Sequence, residues 1–159
     1  MIQVYRAPLR SRNDDIDPQA TLARAKMAGV CGFGGVITPP PDDLFSALDS
    51  AGQYYGDGFS RRLARFADVF NGSFVWTRDE DRQLWLGMLI GPYFYDRAAA
   101  AAEVDLVHVR PCSWRATPVT ESTAPAAVVA TFDRGGRNFQ QIHHPGIVDL
   151  TRAIWESAD

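Results

Sequence analysis

Lysine is almost missing from this chain: of its 16 basic residues only Lys26 is lysine, and arginine supplies the others. Cysteine is equally scarce. Cys31 and Cys112 lie far apart in the sequence, which argues against a disulfide framework or a zinc site of paired spacing. Both are expected to be reduced, with Cys31 packed inside. No stretch approaches the roughly 20 apolar residues that cross a bilayer, and the opening MIQVYRAPLRSRNDD has no apolar block of the signal-peptide kind. These absences point to an intracellular, cytoplasmic protein without a membrane partner. Histidine is limited to His108, His143 and His144, and no serine or cysteine sits in a nucleophile-elbow setting, so a hydrolytic triad is unsupported. His143 and His144 are adjacent, would face opposite ways on a strand, and lack an accompanying ligand pattern, which favours a polar loop over a metal site. No metal, cofactor or catalytic residue is therefore expected. Cys31-Gly32-Phe33-Gly34-Gly35 is rich in glycine but lacks the lysine and serine or threonine of a phosphate loop, and the spacing of a dinucleotide fingerprint.

The formal net charge of -3 argues against a protein that coats nucleic acid through bulk positive potential. Local patches remain open. The arginines gather at Arg6/Arg10/Arg12, Arg61/Arg62/Arg65 and Arg134/Arg137. Arginine presents a planar fork that grips phosphate in two places and stacks on bases, so these clusters suit a backbone track, or they reflect an overall bias toward arginine.

Along the chain, IQVYR reads as a first strand. Asp17-Pro18 supplies a cap and a first-turn proline for a helix that stops at Gly29. Val30 to Ile37 mixes strand formers with glycine, as expected of a bulged strand or of close approach by another group. Asp42 or Asp43 caps a second helix carrying Leu44, Leu48, Ala51 and Tyr55, and Ser60 caps a third carrying Leu63, Phe66, Ala67 and Phe70. A hairpin follows. Val104 to Arg110 alternates like a strand limited by Pro111, Ala124 to Phe132 has the look of a short helix, Arg137 to Ile142 reads as a last strand, and a closing helix contains Trp155. At 159 residues with 46% hydrophobic content the chain is read as one domain, 1–159. Helices in the first half and strands in the second give an α+β class: a small, partly open, mainly antiparallel β-barrel flanked by helices.

The most informative segment is GSFVWTRDEDRQLWLGMLIGPYFYD, residues 72–96. Phe74, Trp76 and Arg78 alternate with Ser73, Val75 and Thr77, so a strand places two rings and a guanidinium on one face. Such a face suits a planar ligand with a charged edge. It equally suits a core, with Arg78 paired to Asp79 or Asp81 at the surface. Phe33 reads either as a wall beside a closely approaching backbone or as a core phenylalanine in a bulge. Tyr93 and Tyr95 could pack across a strand end with their hydroxyls in water. His108, on an apolar strand, reads as a hydrogen-bonded, partly buried residue rather than a ligand.

Taken in order, GVCGFGG, GSFVWTR, LGMLIGPYFYD, HVRPCSW and RNFQQI resemble the PUA-like proteins related to EVE and YTH domains, including reader modules attached to modification-dependent restriction systems. The resemblance spans most of the chain from Met1 to Ile142. Phe33 stands where that group often has tryptophan, Ser73 replaces an acidic residue, and Met88 occupies a position that is frequently basic. The resemblance implies a PUA-like, EVE-like barrel and non-catalytic recognition of a modified base in DNA or RNA, in a setting such as phage defence. The base would leave its stack for an aromatic pocket. Trp76 would be the main wall, Phe33 and Trp114 further walls, and Tyr95 part of the same site. Arg78 would contact phosphate or a base edge, and Arg137 would extend the backbone track. A separately encoded nuclease or other effector would do any cutting. Related folds of the ASCH type include amide hydrolases, so an enzyme acting on modified nucleosides is the alternative. A protein-interaction module is a third reading.

Overall fold

The computed structural model of the protein describes residues 1–157. Seven strands and six helices are interspersed along the described chain. The first strand, β1 (Val4–Arg6), leads through a long polar loop into α1 (Pro18–Ala28). Asp17 caps α1 by accepting a hydrogen bond from the Gln19 amide, Pro18 holds the first turn, and Gly29 ends the helix in the left-handed region at φ 65°. Then come β2 (Val30–Phe33), α2 (Leu44–Tyr55), capped by Asp43, and α3 (Asp57–Ala67). Gly56 separates the two helices and serves as the N-cap of α3. Ser60, expected in that role, instead donates its hydroxyl to the Leu48 carbonyl and ties the helices together.

The hairpin forms as the alternation predicts, with β3 (Phe74–Arg78) antiparallel to β4 (Leu84–Leu89) and Trp76 opposite Leu86. After it come β5 (Phe94–Tyr95), the short α4 (Ala99–Glu103), β6 (His108–Trp114), α5 (Ala126–Asp133), β7 (Gln140–Gln141) and α6 (Ile147–Glu156). The sheet order is β2-β6-β4-β3-β1-β7, with β5 added beside β6. All pairings are antiparallel except β1 against β3, and the sheet curls into a half-barrel.

The strand expectations need correction at their bounds: β1 begins at Val4 rather than Ile2, and β2 ends at Phe33 rather than Ile37. The strand expected over 104–110 starts only at His108 and runs through Pro111 to Trp114. Pro111 is tolerated because β6 changes partners there, pairing with β2 up to Pro111 and with β4 from Cys112 onward. Cys112 donates to the Gly29 carbonyl, so strand alternation turns the missing proline N–H away from β2. The strand expected over 137–142 shrinks to Gln140–Gln141, because residues 134–139 form a loop held by Arg6.

Successive residues of β3 feed opposite layers. Val75 joins Leu22 and Ala25 of α1, Leu89, Val109, Cys31 and Cys112 on one face. Phe74 and Trp76 join Val4, Leu84, Leu86, Val128 of α5 and Ile147 of α6 on the other. A third layer lies under α2 and α3, where Ile37, Ala47, Ala51, Leu63 and Phe66 are buried. Full burial of each large side chain contributes roughly 1.5–3 kcal/mol, so these layers fix the helices to the sheet. Among the described residues no helix is long and apolar enough to cross a membrane.

Candidate functional site

The glycine-rich segment after β2 builds one wall of a cavity of about 460 Å³. Residues 10–13 form a second wall, Tyr55, Phe59 and Arg62 of the α2–α3 unit a third, and Arg137, Asn138 and Phe139 a fourth, with Asp105 also in the lining. Volumes of roughly 300–1,000 Å³ are usual for small-ligand sites. The aromatic lining is continuous with the core. Phe33 meets Phe59 edge-on at 5.9 Å and Phe66 at 5.0 Å, Tyr55 meets Phe59 at 5.0 Å, and Phe139 lies 4.9 Å from Phe66 and stacks on Tyr5 at 5.0 Å. These rings are thereby held in place before any ligand arrives.

Glycine is required where the backbone passes the cavity. At Gly35, φ is 120° and an added Cβ would lie 2.7 Å from the Phe59 ring. At Gly34 an added Cβ would run into the Asp105 carboxylate. Asp105 sits in the left-handed region at φ 50°, a conformation that aspartate tolerates better than most residues. Its Oδ1 accepts from the Gly35 amide at 2.9 Å and its Oδ2 from the Ser11 hydroxyl at 2.5 Å. A carboxylate offers about four acceptor positions, so capacity remains toward the cavity.

Behind this wall, His108 is fully buried. The Gly35 carbonyl lies 2.8 Å from its Nε2, and a carbonyl can only accept, so Nε2 carries the proton. Nδ1 then accepts from the Tyr93 hydroxyl at 2.8 Å. Burial drives the His108 pKa down to about 4, outweighing the opposing pull of the Gly35 hydrogen bond and of Asp105. Burial also raises Tyr93, which keeps its hydroxyl a donor. The ring is a neutral brace for the glycine segment.

The mouth is basic. Arg10, Arg12, Arg62 and Arg137 all line it. Arg62 is pulled below the usual arginine range by desolvation and then by the positive charges of Arg12, Arg65 and Arg61. Arg12 donates to Asn138, and Arg137 donates to the Ser11 carbonyl and to exposed Asp14. Neither the Arg10 nor the Arg62 side chain has a hydrogen bond or ion pair among the described residues, although Arg62 lies over the Phe59 ring at 5.7 Å. Such like-charge crowding favours an anionic partner.

Of the residues singled out in the sequence, Phe33 and Arg137 line this cavity and four do not. Trp76 is 0% exposed in the layer beneath α6, where its indole N–H donates to the Thr151 hydroxyl at 3.3 Å. The alternation placing it on one face of β3 is right, but that face is covered by α5 and α6. Arg78 shares that face, pairs with Asp133 at 2.7 Å and lies over Phe132, rather than pairing with Asp79 or Asp81. Trp114 donates its indole N–H to the Val30 carbonyl at 3.0 Å and packs against the α1 layer. Tyr95 braces the glycine segment from behind, accepting from the Ile37 amide at 2.9 Å, with its ring edge-on to His108. Arg10, Arg12 and Arg62, from the arginine clusters noted in the sequence, also line the cavity, whereas the sequence reading missed Tyr55, Phe59, Ser11 and Asp105. Phe59 stands between the glycine break and the expected Ser60 cap, and Asp105 sits in a strand-like run. The paired Gly34-Gly35 was the available signal, since something bulky had to face each.

Among the described residues no cluster of three or more His, Cys, Asp or Glu side chains could hold a metal ion. No protein-family model, curated protein or solved structure matches the chain.

Proposed function

We propose that the protein is a non-catalytic reader of a modified nucleobase in DNA or RNA, and that the aromatic cavity beside Gly34 and Gly35 receives the extruded base. The observation that carries this reading is the juxtaposition of Phe33, Phe59 and Phe139 inside the cavity with Arg10, Arg12 and Arg62 at its mouth. The resemblance of its motifs to PUA-like proteins related to EVE and YTH domains points the same way. Extruding a base costs a few kcal/mol, and stacking on aromatic side chains returns about 1–3 kcal/mol per base, so a ring-lined cavity offsets the extrusion. An added methyl group contributes up to about 0.8 kcal/mol more by apolar burial, enough to separate modified from unmodified bases several-fold. Asp105 is placed to accept from an N–H on the base edge, and the arginines are placed for the flanking phosphates. A separately encoded nuclease or other effector would act on the bound strand. The enzymatic alternative has less support, because the only lysine, Lys26, packs over Trp85 at 3.6 Å and lies outside the cavity lining.

Fluorescence anisotropy tests the reading, using short DNA and RNA strands, unmodified or carrying methylated, hydroxymethylated, glucosylated or thiolated bases. The expected result is modification-dependent binding that Phe33→Ala weakens about tenfold, close to the loss of one stacking contact. Arg62→Ala should instead weaken all strands alike and reduce the salt slope by about one. Binding indifferent to every modification would refute the reading.

A further inference from the structure

A second cavity, of about 480 Å³, opens on the other side of the arm formed by Arg10 and Arg137, which line both cavities. Its lining combines the start of α1 (Pro18, Gln19, Leu22) with Thr77 at the end of β3 and Phe132 at the end of α5. The floor carries an unmet hydrogen bond. Thr77 is 1% exposed, and its hydroxyl has no hydrogen-bond partner among the described residues. A buried hydroxyl without a partner is uncommon and costly, and a ligand's polar group could supply what is missing. Of the three acidic residues that line the cavity, exposed Glu80 has no side-chain hydrogen bond or ion pair among the described residues, and the other two are engaged. Asp17 caps α1, and Asp79 accepts from the Gln83 amide and the Trp85 indole through its two oxygens. Arg78 is held by Asp133. Arg10, whose side chain has no hydrogen bond or ion pair among the described residues, is the unpaired positive charge that lies where the two cavities meet.

We infer that this second cavity holds the nucleotide next to the extruded one on the same strand, with Arg10 and Arg137 on the phosphate between them. The inference rests on the reading of the first cavity. The flat faces of Pro8, Pro18 and Phe132 suit a base, Thr77 supplies a polar contact on the floor, and the shared arginines set the direction in which the strand crosses. The protein thus reads two successive nucleotides, and the context of the modified base contributes to its affinity.

Calorimetric titration with nucleoside 5′-monophosphates of 5-methylcytosine, 5-hydroxymethylcytosine, N6-methyladenine and 4-thiouracil, and with dinucleotides extending each on the 5′ or the 3′ side, tests this. One extension should tighten binding at least about fivefold, the lower end of a stacking contribution. Gln19→Trp, at an exposed position on the cavity wall, should abolish that gain while leaving monophosphate binding unchanged. Thr77→Val, which removes only the unpartnered hydroxyl, should reduce the gain about fivefold. Thermal melts of both variants establish that they fold. Monophosphate binding with no gain on extension, or a gain untouched by both variants, overturns this inference alone. Binding of neither monophosphates nor dinucleotides overturns the reading of the first cavity together with it.

Discussion

Lowering the pH should destabilise this protein through a single histidine, over a window that its exposed carboxylates do not share. His108 titrates near 6.5 when the chain is unfolded and near 4 when it is buried. Between those values the unfolded chain binds one proton more than the folded one, so stability rises with pH. The contribution is fully present above pH 6.5, is lost as the pH falls toward 4, and changes no further below that. At 1.36 kcal/mol for each tenfold change in the proton equilibrium, the whole step amounts to roughly 3 kcal/mol. Asp14, Asp43 and Asp133, held below the ordinary carboxylate range by hydrogen bonds, lose their contributions only at lower pH. Urea unfolding at pH 7.5, 6.5, 5.5 and 4.5, on the native protein and on His108→Gln, isolates the effect because every other group is common to both. The native protein should lose up to about 1.4 kcal/mol more per pH unit than the variant across the middle of this window. Parallel pH curves would refute the reasoning. Ligand affinity of the folded protein should hold across most of this window, where folded His108 stays neutral, and fall only as the pH approaches 4, where protonated His108 can no longer accept from Tyr93 while bracing Gly35.

Trp76→Phe should lower stability by about 1–3 kcal/mol, from lost packing and an orphaned Thr151 hydroxyl, yet leave strand binding in the anisotropy assay unchanged. Gly35→Ala should weaken ligand binding at least tenfold, because the left-handed backbone and the Phe59 ring both resist a Cβ, and circular dichroism should show the fold retained. Arg6→Met removes the donors that reach the carbonyls of Thr131, Gly135 and Asn138 and the side chain of Gln140. Hydrogen exchange should then accelerate across residues 134–139, with an accompanying loss of ligand affinity.

Local chemistry made much of the fold legible. The Asp17-Pro18 start and Gly29 stop of α1, the hairpin of β3 and β4, and the short helix near 126 follow from caps, periodicity and turn residues acting over a few positions. The layer covering a strand face is not a local property, and the errors concentrate there. Phe74, Trp76 and Arg78 do share a face, but nothing within residues 72–96 reveals that α5 and α6 cover it. Pro111 misled for a similar reason, since a missing N–H ends a strand only if a partner lies on that side. Half of the cavity escaped notice because its parts come from five separated segments. Phe33 and Arg137 were found because each belongs to a cluster visible in its own neighbourhood, whereas Asp105 acquires its role only through Gly35 and Ser11, distant in sequence.

The placement of β1 has a consequence for how the chain assembles. β1, first in order along the described chain, lies inside the sheet, parallel to β3 and flanked by β7. During synthesis Val4–Arg6 must wait until residues 74–78 exist, and stays open along its other side until residues 140–141 arrive. Closing loops of that length is slow, and an unpaired strand edge meanwhile invites wrong partners. Folding of the sheet should therefore be completed only after residues 140–141 have left the ribosome, with the docking of β7 against β1 as a late event. The arm of Arg10 and Arg137 forms in that same event, so both cavities come into being together at the end of folding.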